Sequence, residues 1–191
     1  AADHGIAAQG VSAYPPEVTA QMVRNMLDGG AAVSVLARQH GLALTVVDCG
    51  VAHDFAPRPG LVVAKACRGS ADSTQGPALT PAQCSAAMAH GAALVRGLPG
   101  NVLLLGEMGI GNTSAAALLM ERLTGLPLAL CVGRGTGVDD AGLARKQAVL
   151  QRALARHANV SEPRAVLAAL GGAEIATMVG ADHGQIGRAH V

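Results

Sequence analysis

The chain has 191 residues, half of them hydrophobic, enough to bury the core of one ordinary domain. Fourteen Lys and Arg against thirteen Asp and Glu leave a net charge of +1, and Tyr14 and Phe55 are the only Tyr, Phe or Trp side chains. A basic surface with stacking rings, which nucleic acid would need, is therefore excluded, and no apolar run approaches the about eighteen residues of a membrane span.

The opening AADHG reads as a strand-to-loop transition already under way, so the native N-terminus is expected upstream. Pro15 and Pro16 close the loop after Gly10, and Pro16-Glu17 is good first-turn chemistry for a helix running to about Leu27. Val18, Met22 and Met26, with Gln21 and Asn25, recur at helical spacing, giving one apolar face that carries two amides. Gly29-Gly30 break that helix, and a second, 31–39, ends at Gly41. Buried strands are predicted at 42–47 (LALTVV) and 61–66, followed by a polar loop over 68–75. Thr80-Pro81 opens a helix to about Val95. Two more strands are predicted at 101–105 (NVLLL) and 128–132 (LALCV), each leading through a glycine-rich loop into a helix. This rhythm of parallel βαβ units predicts one α/β domain, a doubly wound, mostly parallel, Rossmann-like sheet with helices on both faces, occupying 1–184 and incomplete at both ends. The tail 186–191 (IGRAHV), with Gln185 at the junction, reads as translated sequencing adapter, a non-native addition. Cys49, Cys67, Cys84 and Cys131 stand far apart without a CxxC pair and read as reduced, buried thiols of a cytoplasmic protein.

Ligands of open parallel sheets bind beyond the carboxyl ends of the strands, so the two strand-loop-helix junctions are the candidate site. In the first, GEMGIGNTS (106–114), glycines let backbone approach a ligand, Asn112, Thr113 or Ser114 is placed to cap the helix, and the helix N-terminus offers free N–H groups to an anion. Glu107 stands among these glycines, where a carboxylate is more often functional than on a helix surface. The second, GRGTGVDD (133–140), leads to Lys146, a point charge able to reach a phosphate. Its glycines are spaced GxGxG, which is neither a Walker A loop nor a dinucleotide fingerprint; tight turns and a solvated lysine are the plain alternative. Tyr14, Gln21 and Met22 suit a flat heteroaromatic ligand, although core packing explains the same spacing. Asp3 and His4 read better as a structural Asp-His hydrogen bond than as metal ligands.

The ordered segments 10–23, 29–41, 46–51, 106–114, 133–146 and 171–181 (GGAEIATMVGA) together closely resemble the nicotinate-nucleotide:dimethylbenzimidazole phosphoribosyltransferase family. The resemblance implies phosphoribosyl transfer from nicotinate mononucleotide to 5,6-dimethylbenzimidazole or a related base. The products would be α-ribazole 5′-phosphate and nicotinate, in assembly of the cobalamin nucleotide loop, with no metal or redox cofactor and a homodimer when complete. By the same resemblance Glu107 is an active-site carboxylate, Gly109, Gly133 and Gly135 contact the nucleotide, and Lys146 faces its phosphate or ribose. Tyr14, Met22 and, less directly, Gln21 line the benzimidazole pocket. The family's principal general base is a glutamate beyond this chain's C-terminal end, so the chain by itself is expected to show no turnover. A different Rossmann-like nucleotide-binding enzyme and a non-catalytic benzimidazole-binding protein are the competing expectations.

Overall fold

The computed structural model describes residues 1–100 and 102–186. Val46–Asp48 (β1) and Leu61–Val63 (β2) pair in parallel, Val46 opposite Leu61 and Asp48 opposite Val63. The sheet is extended by the chain's first residues. Ala2 bridges Gly50 and His4 bridges Ser70, both in parallel, while the Ala2 N–H donates to the Met108 carbonyl at 3.0 Å. The segment AADH thus lies between the exit of β1 and the glycine loop at 106–111, which brings three chain crossings to one edge.

Helices Val18–Leu27 (α1) and Ala32–Gln39 (α2) form on either side of Gly29-Gly30, as expected, and α1 packs on β1 and the residues after it through a small core of Val23, Val46 and Val51. Helix Pro81–Arg96 (α3) starts where Thr80-Pro81 predicts. Thr80 and Gln83 form a capping box, with the Gln83 N–H on Thr80 Oγ1 at 3.1 Å and the Thr80 N–H on Gln83 Oε1 at 2.8 Å. Helices Asn112–Thr124 (α4), Asp140–Arg156 (α6) and Pro163–Leu170 (α7) enclose Ile6, Val11, Leu118, Leu150, Val166 and Leu170. The last helix described, Ala173–Ile186 (α8), lies along α3 so closely that a methyl group at Gly91 or Gly180 would overlap the carbonyls of Thr177 and Met88 respectively.

The two later strand expectations are corrected. Segment 128–132 supplies a single helical turn, Leu128–Cys131 (α5), because Pro127 sets up its N-terminus and a short apolar run carries no period of its own. Residues 102–108 are irregular, with Val102 and Leu104 about three-quarters exposed at 78% and 73%. Among the described residues no strand lies beside them, so their apolar run has nothing to pair with; Asn101 lies outside the described residues, as does most of the tail, 187–191. The first predicted strands shrink to β1 and β2. What is present is a mixed α/β arrangement with a small parallel sheet and many helices. All four cysteines are free thiols, Cys49 and Cys84 buried, Cys67 and Cys131 partly so.

Candidate active site

The two glycine loops face each other across a cleft lined by Val11, Ser12, residues 108–113, Arg134, Gly135, Thr136, Val138 and Lys146. Gly111 precedes α4 with φ 99° and Gly135 turns the second loop with φ 57°, backbone that a side chain would strain. The helix cap differs from the expectation. Gly111 is the N-cap without a side-chain bond, and Asn112 instead accepts the Thr113 N–H and donates its Nδ2 to Glu107 Oε2; with the Asn112 N–H on the Gly109 carbonyl and the Ser114 N–H on the Gly111 carbonyl, the first-turn amides expected to be free are occupied. Glu107, exposed on the rim, is therefore aimed by its neighbour in the same loop.

Asp139 caps α6 through the Gly142 N–H at 2.7 Å, and two turns along the same face stands Lys146. The lysine is 1% exposed; its ammonium donates to Thr113 Oγ1 at 2.7 Å and to the Gly133 carbonyl at 3.2 Å. Burial pushes its pKa below an ordinary lysine's. A cation is thus held beneath both loops, at the N-terminal end of α4, where the helix dipole adds to it. The cleft carries positive potential at its floor and a carboxylate at its rim, which suits a ligand with a phosphate at one end and a developing cation at the other.

Of the residues expected from the sequence, Gly109, Gly135 and Lys146 line the cleft, Gly133 holds the lysine, and Glu107 is tied in through Asn112. Tyr14 is half exposed, Gln21 exposed and Met22 partly buried, all outside the lining. The helix that carries Gln21 and Met22, α1, is nonetheless fastened to the site, since its buried Thr19 accepts the Ile110 N–H at 3.0 Å. Arg134, which lines the cleft while bonding the Val138 carbonyl and Asp140, was not singled out from sequence, and neither was Thr19; Thr113 was named there only as a possible helix cap, not as a partner of Lys146. The Asp3-His4 hydrogen bond is corrected: Asp3 Oδ2 accepts the Ala52 N–H, and His4 Nε2 meets Glu174 Oε1 at 2.7 Å, a partner 170 residues away. Near that pair burial, and after it the Glu174 and Cys49 charges, push the Cys67 thiol up to about 11, so it is a poor nucleophile. Among the described residues no group of three His, Cys, Asp or Glu is placed to hold a metal, and no helix is long and apolar enough to cross a membrane.

A family model described as "Phosphoribosyltransferase" matches residues 1–186. The chain is 66% identical over 181 residues to a nicotinate-nucleotide:dimethylbenzimidazole phosphoribosyltransferase of Variovorax paradoxus (strain S110), covering 95% of this chain and 52% of the relative. With a protein of the same name from Dechloromonas aromatica (strain RCB) it shares 60% identity, covering 95% and 54%. The crystal structure of CobT from Thermus thermophilus superposes with a TM-score of 0.93 at 44% identity, covering 98% of this chain and 57% of that one. The chain spans about half the length of the curated relatives it matches.

Proposed function

Because this chain belongs to the nicotinate-nucleotide:dimethylbenzimidazole phosphoribosyltransferase family, we propose that the whole protein transfers phosphoribose from nicotinate mononucleotide to 5,6-dimethylbenzimidazole or a related base. The observation that carries this reading is the buried Lys146 ammonium under two glycine loops, a preformed seat for a phosphorylated ribose.

In the proposed reaction a benzimidazole ring nitrogen attacks the anomeric carbon as its bond to nicotinate breaks. The pair of electrons from that bond neutralises the departing pyridinium, configuration inverts, and the benzimidazole N–H proton goes to a base. Positive charge builds on the ribose between bond breaking and bond making. Glu107, oriented by Asn112, is the carboxylate of this chain suited to stabilise it, and Lys146, with the α4 dipole adding to its charge, anchors the phosphate so that both rings are aligned. Gly109, Gly133 and Gly135 supply backbone close to the nucleotide, and Tyr14, Met22 and Gln21 form the wall on the acceptor side. The general base is assigned to a glutamate in the remainder of the protein, outside this chain. An acceptor binder without catalysis or a dinucleotide enzyme is not favoured by the named relatives.

The doubly wound sheet belongs to this proposal. Segment 102–105 carries exposed Val102, Leu104 and Leu105, and no backbone hydrogen bond joins 102–107 to the rest among the described residues. In the whole protein these residues become a strand covered by the remaining half; a homodimer and a cytoplasmic location follow from the same family reading. The test is a full-length assay with Glu107→Gln. Loss of about 100-fold in kcat is expected from removing a charge aimed at the transition state, with little change in KM. A variant as fast as its parent would remove Glu107 from the mechanism.

A further inference from the structure

His4 and Glu174 are 3% and 2% exposed, and Glu174 Oε2 is buried without a partner. A polar pair this deep is costly unless geometry requires it. Its imidazole lies in a slot made by glycines. A methyl group at Gly109 would overlap the Ala2 carbonyl and come within 3.1 Å of His4 Cδ2, one at Gly111 within 3.1 Å of His4 Cβ, and one at Gly172 would overlap His4 Cε1 and stand 2.7 Å from Glu174 Oε2. Gly109 and Gly111 present their other side to the cleft. The ring is consequently the underside of the loop whose upper surface is the candidate nucleotide seat, and its bond to Glu174 fixes its plane.

We propose that His4, oriented by Glu174, is a positioning residue that sets the height and tilt of loop 106–112, and hence where Glu107 and the Gly109 backbone stand relative to the bound nucleotide. The proposal rests on the transfer reading for its kinetic consequence and on the loop's geometry for its structural one. An apolar filler of the same slot packs without direction and lets the loop shift; a displacement of about 1 Å at a reacting centre costs on the order of 100-fold in rate.

The experiment uses the full-length protein, its variants His4→Gln, Glu174→Gln and the double variant His4→Leu/Glu174→Met, with three readouts: thermal unfolding, amide exchange at Ile110 and Asn112, and kcat and KM for nicotinate mononucleotide. Those two amides are bonded to Thr19 Oγ1 and the Gly109 carbonyl, so they report the loop directly. The double variant, with no buried charge left over, is expected to unfold no lower than its parent. Its loop amides exchange faster, and kcat falls about 100-fold with KM nearly unchanged. His4→Gln, which returns a donor to Glu174, recovers most of the lost kcat. Parent-like exchange and kcat in a stable double variant would reduce the pair to a structural element and overturn the proposal. Should the double variant fail to fold, Glu174→Gln decides it: parent-like loop exchange overturns it, and faster exchange in a stably folded protein sustains it. If the parent transfers no phosphoribose while loop exchange still rises in the variants, the transfer reading fails and the positioning role stands.

Discussion

Lys146 concentrates the positive charge of the candidate site in one group. Its ammonium is buried, held by two oxygens, and disfavoured by that burial. Two consequences run in opposite directions with pH. In the free protein the cost of keeping the ammonium buried is fully present below its lowered pKa and is relieved as pH rises toward the value of the unfolded chain, so this group's contribution to stability improves with pH. In the proposed reaction the phosphate needs the ammonium, so affinity for nicotinate mononucleotide is expected to fall as pH rises through the lowered pKa, earlier than for an exposed lysine. Lys146→Met is expected to raise KM by about tenfold or more, the worth of a hydrogen bond to a charged group, to flatten that alkaline dependence, and to leave the melting temperature no lower. A KM unaffected by the substitution would place the phosphate elsewhere. The sequence places Lys146 on the helix that follows the second glycine loop, which makes it a candidate, while its burial emerges only from the fold. His4 and Glu174 are not legible in that way. Their 170-residue separation leaves no local signal, and Asp3 beside His4 offers a nearer but wrong partner.

At the level of elements, two kinds of helix end or contact carry different weights. Thr80→Ala removes one capping box and is expected to cost about 1 kcal/mol, read as a modest shift in the denaturation midpoint. Gly180→Ala drives a methyl group into the Met88 carbonyl where α3 and α8 touch, and is expected to cost about 1–3 kcal/mol, toward the upper end because backbone cannot yield as a side chain can. The reverse ranking would mean that the α3-α8 contact is looser than described. α1, α2 and α3 are readable because Pro16, Gly41 and Thr80 punctuate their segments. Strands are less so. LALCV (128–132) and VLLL (102–105) are both wholly apolar, yet one turns helical after Pro127 and the other finds no partner among the described residues, since strand formation depends on a neighbour that local sequence does not contain.

On the scale of the molecule, exposed Val102, Leu104, Leu105 and Leu130 accompany a chain that spans about half its relatives' length. If the face is water-exposed in the whole protein, Leu104→Lys is nearly neutral, within about 0.5 kcal/mol. The expectation is instead a loss of about 2–4 kcal/mol in denaturant unfolding of the full-length protein, the penalty of an unpaired polar group in a packed core. The same arrangement explains how much of the site is legible. Both glycine loops announce themselves through composition, while the acceptor wall proposed for Tyr14, Gln21 and Met22, all outside the present cleft, depends on packing that no single segment encodes. The central claim is the transfer itself, and it is tested most directly by incubating the full-length protein with nicotinate mononucleotide and 5,6-dimethylbenzimidazole and identifying the products. Equal amounts of nicotinate and α-ribazole 5′-phosphate are predicted; a folded protein that binds the nucleotide yet forms no α-riboside would contradict the account.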